Sequence, residues 1–478
     1  MTLFTSTRND SLRCNGKEAI LKGLSDDGGL FVPVDIKRIA DIYNYQHLSY
    51  TELACEIISL FFDDIDIKDC VSKAYTGTFK DTEITPVRKV NGRYFLELYH
   101  GPTSAFKDLA LQFLPHILIN CKEEDRDIVI LSATSGDTGK AALEGFKDVK
   151  GSRIIVLYPY KMVSLVQERQ MTTTGGDNTE VIAVRGNFDD CQRLVKDILE
   201  NHKSGRISLT SANSINIARL IPQIVYYFKA YFDLLNKKEI EKDEKVDFIV
   251  PTGNFGDILA GYLAKEMGLP VSKLVCASNI NNVLTDFFAT GIYDANRTLY
   301  STMSPSIDIL VSSNLERLLY LKTRDAAKIK EMMASLKKER RYQIDRKLLD
   351  SLNEDFLAYC SGEEENRNII KEYYEKHHYL FDTHTAAAAS VADKYEGSHK
   401  KIILATASPF KFSKDVYACI SGKEIRDDLD AMSVLSEYTG LPVPYDLAAL
   451  KEKEVRFKEV IGKDDRDILI RKVEDGNA

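Results

Sequence analysis

The 478-residue chain contains no run of about eighteen apolar residues, and the stretch Met1 to Arg8 has no long apolar core. A membrane-spanning helix and a secretory leader are therefore both unexpected, and the expected compartment is the cytoplasm. Its eight cysteines are scattered without a C-x-x-C pair, and His377 and His378, being adjacent, cannot easily face one ion from a helix. Neither a disulfide framework nor a metal site is expected. Positive charge is not in excess: 64 Lys and Arg stand against 72 Asp and Glu, a net charge of -8, which argues against a nucleic-acid surface. Repeats and low-complexity tracts are also lacking. What remains is an ordinary soluble composition, 44% hydrophobic, in a chain long enough for two or three domains.

Short apolar runs alternate with amphipathic helical sequence through the middle of the chain. The runs are Asp127–Ala133, Arg153–Tyr158, Glu180–Val184, Val246–Val250, Lys273–Ala277 and Lys401–Ala405. This alternation predicts an α/β fold with mainly parallel sheets. After the third run, Asn187 is a plausible helix cap, and Cys191, Leu194, Val195, Ile198 and Leu199 fall on one helical face. Between Leu318 and Tyr374 the sequence turns charged and helical with no strand signal, and Lys237–Lys245 is a charge-rich connector. The expected organisation is an N-terminal segment over residues 1–98, one lobe over 99–235 and a second over 236–478 with a helical excursion.

Three short segments carry chemistry. Residues 99–108 read Tyr-His-Gly-Pro-Thr-Ser-Ala-Phe-Lys-Asp, placing Lys107 between a Gly-Pro turn and a helix-like run, where a cofactor aldehyde could meet its amine. Two glycine turns each follow a buried-strand signal and open a helix: Thr134-Ser-Gly-Asp-Thr-Gly139 and Pro251-Thr-Gly-Asn-Phe-Gly-Asp257. Such turns gather backbone N–H groups and the positive end of a helix dipole, which suits an anion. Neither matches the nucleotide-binding loops in spacing, and each alone could be an ordinary strand-to-helix turn. Together with Lys107 they point to pyridoxal phosphate (PLP) held as a Schiff base.

These segments resemble the threonine synthases, PLP enzymes of fold type II (tryptophan synthase beta-like), and the resemblance runs along nearly the whole chain. It is carried by Ser6-Thr-Arg8, Gly23-Leu-Ser-Asp-Asp-Gly-Gly-Leu-Phe-Val-Pro33, His100–Asp108, Ser132–Gly139, Tyr158–Met171, Asn213-Ser-Ile-Asn-Ile-Ala-Arg219, Gly253–Asp257, Asp382-Thr-His-Thr-Ala386, Ala405-Thr-Ala-Ser-Pro-Phe-Lys-Phe412 and Thr439-Gly-Leu-Pro-Val-Pro444. It implies a two-lobed fold with parallel-rich sheets, helices on their faces and an N-terminal extension. It implies that Lys107 carries PLP and moves protons, and that the turn Gly253, Asn254, Phe255, Gly256 and Asp257 holds the cofactor phosphate. Asp137 would lie beside the cofactor ring, Thr406 would offer its hydroxyl to the pyridine nitrogen, and Thr134 and Ser135 would bind the substrate carboxylate.

Asn213, Ser214, Asn216 and Arg219 would reach the phosphate of O-phospho-L-homoserine, whose conversion with water to L-threonine and phosphate is the implied reaction. On residues alone that segment reads as a helix start, with Asn213 or Ser214 as cap and Arg219 on a wet face. The chain departs from the family pattern at Ser408, where His is usual, at Phe410, where a small residue is usual, and at Thr383, where Pro is usual; His384 stays open between a core and a functional role. Those departures keep a second reaction in view, phosphate elimination giving 2-oxobutyrate and ammonia. A rival of another class is a phospho-metabolite binder without turnover. The expected partner is a small-molecule substrate, with no nucleic acid and no membrane, in a monomer or homodimer.

Overall fold

The computed structural model describes residues 1–123, 126–134, 136–201 and 207–474. All six apolar runs form strands. In chain order the strands are β1 Phe4–Ser6, β2 Asn9–Cys14, β3 Phe31–Pro33, β4 Val87–Val90, β5 Arg93–Glu97, β6 Asp127–Ala133, β7 Ser152–Pro159, β8 Thr179–Arg185, β9 Ile207–Ser211, β10 Val246–Pro251, β11 Val271–Ser278, β12 Ile292–Asp294, β13 Arg341–Gln343, β14 Phe356–Cys360, β15 Lys400–Ala405 and β16 Val460–Gly462. One sheet runs β16-β8-β7-β6-β9, entirely parallel, and a larger one runs β14-β11-β10-β15-β5-β4, parallel except for its β4–β5 edge. Helices cover the faces of both sheets, so β6 and β10 are buried almost end to end and read as continuous apolar runs.

The helix Phe188–Asn201 follows its predicted face. Asn187 Oδ1 accepts from Asp190 N–H at 3.0 Å, and Cys191, Leu194, Val195 and Ile198 are buried against Val129, Leu131 and Ile155 of the smaller sheet. One expectation fails. The segment Leu318–Tyr374 contains β13 and β14, and β14 is the outer strand of the larger sheet, paired with β11 from Leu274↔Phe356 to Ser278↔Cys360. It spans five residues and only Phe356 is fully buried, so its pattern is too short and too mixed to stand out from the charged helices around it.

Strand order brings the chemistry-bearing loops together. Because β5 and β15 are neighbours, the chain leaving each continues to pair with the other. Leu98 N–H donates to the Ala405 carbonyl (2.9 Å), Phe106 N–H to the Thr406 carbonyl (2.8 Å) and Ser408 N–H to the Ser104 carbonyl (3.0 Å). Lys107 and Thr406 are thereby set at the carboxyl ends of adjacent strands. In the other sheet β6 and β9 are neighbours, and Ser132 Oγ donates to Asn213 Oδ1 at 3.0 Å across their ends.

The N-terminal segment is tied to this arrangement by buried polar bonds. Arg8 makes a forked pair with Glu316 (2.8 and 2.7 Å), Asn216 Nδ2 donates to the Ile20 carbonyl (3.0 Å), and the fully buried Arg317 donates from Nε to the Phe31 carbonyl (2.9 Å) and from Nη2 to the Ile215 carbonyl (2.5 Å). These bonds support the Asn213–Arg219 segment from behind.

The helix Asp137–Phe146 lies directly on the chain that follows Lys107. A Cβ at Gly145 would overlap the Leu111 carbonyl, with Leu111 C at 2.9 Å and Gln112 N at 3.5 Å. Gly145→Ala is expected to cost about 1 to 3 kcal/mol by overpacking, despite the roughly 1 kcal/mol that alanine gains in helix propensity. A thermal unfolding midpoint equal to or above wild type would show that this backbone contact is not tight.

Candidate active site

Lys107 opens the short helix Asp108–Leu111. The turn before it is closed by Asp108, whose carboxylate accepts from Thr103 N–H (2.8 Å) and Thr103 Oγ1 (2.7 Å); a side chain at Gly101 would collide with that carboxylate. Burial pushes the Asp108 carboxyl up to about 6 even with these two donors. Lys107 itself is lowered from its ordinary value, first by burial and then by the charges of Lys411 and Arg219, with Asp137 acting the other way. An amine so placed is available as a base and a nucleophile nearer neutral pH than an exposed lysine.

Asp137, at the start of the helix Asp137–Phe146, joins the two sheets. Its Oδ1 accepts from Lys411 Nζ (2.8 Å) and Gln167 Nε2 (3.1 Å), and its Oδ2 lies 3.3 Å from Ser306 Oγ and 3.7 Å from Lys107 Nζ. Burial alone would push this carboxyl up, but the two lysines and Gln167 hold it well below the usual carboxylate range. Thr134 is engaged within its own loop: its hydroxyl accepts from Gly136 N–H (3.0 Å) and Gly139 N–H (2.9 Å), and its N–H donates to the Leu157 carbonyl (2.9 Å). Ser135 lies outside the described residues.

The second glycine turn follows β10. The Gly253 carbonyl accepts from Ser312 Oγ (2.8 Å), and the Asn254 carbonyl accepts from Asn314 N–H and Nδ2 (both 3.0 Å). Since each trans peptide points its N–H opposite its carbonyl, the N–H groups of Asn254 and Phe255 face away from residues 312–314. Phe255 holds a left-handed φ of 63° and is anchored by stacking on Phe288. The helix Gly256–Glu266 then begins, adding its own unpaired N–H groups to what is a cradle for an anion. Asp257 faces another way: Oδ1 accepts from Tyr226 OH (2.6 Å) and Tyr227 OH (2.8 Å), while the buried Oδ2 has no partner among the described residues. Burial raises this carboxyl to about 6 against the pull of the two tyrosines and Lys107.

The Asn213–Arg219 segment divides into a structural and an open part. The cap of the helix Ile217–Leu220 is Asn216, and neither Asn213 nor Ser214 fills that position; Asn216 Oδ1 accepts from Ala218 N–H (3.0 Å) while Nδ2 holds Ile20, so both ends of its amide are used. Asn213 and Ser214 are half-buried, and neither Asn213 Nδ2 nor Ser214 Oγ has a partner among the described residues. Arg219, 5% exposed, is buried and not on a wet face. Among the described residues its only hydrogen bond is from Nη1 to the Ala212 carbonyl (2.9 Å), its Nε has no partner and no carboxylate opposes it, and burial lowers it to about 10.

At the end of β15, Thr406 is buried, and its hydroxyl has no partner among the described residues. The three positions that depart from the family pattern serve local structure. Ser408 Oγ caps the 3₁₀ turn Pro409–Phe412, Phe410 is in the core, and Thr383 occupies the first position of its helix, where Pro would also be accommodated. His384 Nε2 accepts from Ser306 N–H (2.9 Å), so its proton is on Nδ1, which donates to Asp382 (2.8 Å). That histidine holds Ser306 against Asp137. The roles of Lys411, Gln167 and Ser306 around Asp137 were not foreseen, although Lys411 lies within the Ala405–Phe412 segment and Gln167 within Tyr158–Met171, both of which resemble the family.

A lysine amine, an anion cradle and an unpartnered hydroxyl at neighbouring strand ends fit the aldehyde, phosphate and ring nitrogen of PLP. The family model described as "Pyridoxal-phosphate dependent enzyme" matches residues 78–406, which places the chain among the fold type II PLP enzymes, with PLP as cofactor. Residues 3–75 match the model described as "Threonine synthase N terminus". The threonine synthase of Saccharomyces cerevisiae is 38% identical over 88% of this chain and 89% of its own length. The crystal structure of PLP-bound threonine synthase from Brucella melitensis superposes with a TM-score of 0.90 at 36% identity, covering 100% of both chains. Human "Threonine synthase-like 1" is 37% identical over 94% of this chain and 64% of its own length. The chain belongs to the threonine synthase family. Among the described residues no helix is long and apolar enough to cross a membrane.

The raised carboxyl of Asp257 makes a prediction for stability. Its proton is held more tightly in the folded than in the unfolded state, so its stabilising contribution is complete below the unfolded value and is lost as pH rises through about 6. Asp257→Asn removes the titration. The drop in urea midpoint between pH ~4 and ~7 should be smaller in the variant than in wild type; equal drops would show that Asp257 does not titrate in this window.

Proposed function

We propose that the protein converts O-phospho-L-homoserine and water to L-threonine and phosphate, in the cytoplasm, with Lys107 as the Schiff-base lysine. The observation that carries this reading is Arg219, a buried guanidinium with no carboxylate partner, an unpartnered Nε and an electrostatic reach to Lys107. A buried cation left without a counter-ion is costly, and a phosphate monoester dianion would supply one in a geometry suited to a planar fork. Asn213 Nδ2 and Ser214 Oγ add neutral donors beside it. The Gly253–Asp257 turn is then the seat of the cofactor phosphate, mainly through backbone N–H groups, and Asn216 contributes by fixing the backbone that carries its neighbours.

When bound, PLP supplies an electron sink for the bonds at Cα. Lys107 would hold the cofactor through its amine and would take the Cα proton and then a Cβ proton of the substrate. Phosphate leaves from Cγ toward Arg219, Asn213 and Ser214. A proton is returned to Cγ, which becomes the methyl group, water adds at Cβ, and Lys107 would return a proton to Cα before threonine departs. Thr406, a neutral hydroxyl at the ring nitrogen, would leave that nitrogen less protonated than a carboxylate would, which favours elimination and replacement over transamination. The helix dipole behind Thr134, Ser135 and Asp137 offers a site for the substrate carboxylate. The reading needs a small-molecule substrate and neither nucleic acid nor membrane; it is compatible with a monomer or a homodimer.

The test is phosphate release from O-phospho-L-homoserine by the PLP-loaded protein, with the organic product identified by NMR. Threonine in equal amount to phosphate is the expected outcome. Formation of 2-oxobutyrate would assign the eliminating reaction instead, and no phosphate release from a PLP-loaded protein would reject the substrate. Lys107→Ala should abolish turnover. Arg219→Gln should lower kcat/KM by about 10²-fold or more, matching the roughly 3 kcal/mol of a lost charged contact in a dry site; an unchanged kcat/KM would remove Arg219 from the substrate site.

A further inference from the structure

The most unusual charge in the cleft belongs to Lys411. Its side chain is fully inaccessible, and its ammonium is fixed between the Thr103 carbonyl (3.0 Å) and Asp137 Oδ1 (2.8 Å). Lys107 lies on the other oxygen of the same carboxylate, at 3.7 Å, beyond a direct hydrogen bond. One carboxylate thus stands between two lysines and is bonded to only one of them. A buried ion pair is a weak source of stability compared with an apolar pair of the same volume, so fold stability alone does not account for a lysine here.

We propose that Lys411 is a positioning residue for Lys107: by engaging Asp137 it prevents that carboxylate from capturing Lys107 as an ammonium, and leaves the Lys107 nitrogen free to bond the cofactor and to carry protons. This rests on the reading of Lys107 as the Schiff-base lysine. The charged groups that act on the Lys107 nitrogen through space are Asp137 from the helix after β6, Lys411 from the 3₁₀ turn after β15, Arg219 from the segment after β9, Asp257 from the helix after β10, and Asp108 from its own helix. Among the described residues, Asp137 is the one of these three carboxylates within 4 Å of the Lys107 nitrogen, Asp108 being bonded to Thr103 and Asp257 to Tyr226 and Tyr227, which leaves Asp137 as the dominant negative charge there and Lys411 as the group bonded to it. Lys411 reaches Thr103 as well, in the same turn that sets the Lys107 backbone, so the charge and the lysine it governs share one anchor.

The test uses the PLP-loaded protein and reads the pH titration of its visible absorbance, which reports protonation of the Schiff-base nitrogen independently of turnover. Removing a positive neighbour favours the protonated nitrogen, so Lys411→Met should move the midpoint up by about one unit or more, while Asp137→Asn should move it down. Lys411→Arg should stay near wild type. Opposite shifts from two variants at one contact are not expected of a purely structural role. If Lys411→Met fails to fold, a lowered midpoint in Asp137→Asn with a wild-type midpoint in Lys411→Arg supports the proposal. A midpoint unmoved or lowered in Lys411→Met, or unmoved in Asp137→Asn, overturns it. Borohydride reduction followed by mass mapping separates the two readings: cofactor fixed to a lysine other than Lys107 would overturn the assignment of the Schiff base, and this inference with it.

Discussion

The site is organised around one carboxylate. Asp137 is contributed by the smaller sheet, yet its partners come from elsewhere: Lys107 from the chain after β5, Lys411 from the chain after β15, and Ser306 from the loop held by His384. Such a group is expensive to bury unless its charge is matched, and here the match can be made only when the carboxyl ends of both sheets meet. The geometry of the cleft and the charge of the cleft are therefore one constraint.

That constraint explains why so many polar side chains near the site have no freedom left. Thr134 is spent on its loop, Asn216 on a cap and on Ile20, Ser408 on a 3₁₀ turn, and His384 on Asp382 and Ser306. Set against them, among the described residues, are groups whose capacity is not fully used: the amine of Lys107, the hydroxyls of Thr406 and Ser214, the amide nitrogen of Asn213 and the Nε of Arg219. The contrast separates residues that shape the cavity from residues that can address a ligand, and it does so by hydrogen-bond accounting rather than by position in a motif.

The sequence made the α/β alternation legible because six strands are buried on both faces and announce themselves as apolar runs. It made Lys107 and the two glycine turns legible because backbone approach to an anion demands glycine at fixed places. Strand β14 was hidden by its edge position and its half-exposed side chains. The burial of Arg219 was hidden for a different reason: an arginine three residues into a short helix looks solvated until that helix is seen to pack against the N-terminal segment, about two hundred residues earlier in the chain, whose Ile20 carbonyl accepts from Asn216. Lys411 and Gln167 were likewise invisible as partners of Asp137, since their meeting depends on which strands are neighbours, and strand order is not written in any local pattern.

Positive charge in the cleft has one further consequence. Lys411 is neutralised within the protein by Asp137, whereas Arg219 has no carboxylate partner among the described residues, although both are buried at comparable depth. Two buried cations treated so differently cannot have the same purpose. The paired one is part of the permanent electrostatic frame, present whether or not anything is bound. On the proposed reading the unpaired one would be matched by the phosphate of the substrate, so part of the binding energy for that anion would come from a desolvation cost the fold already carries.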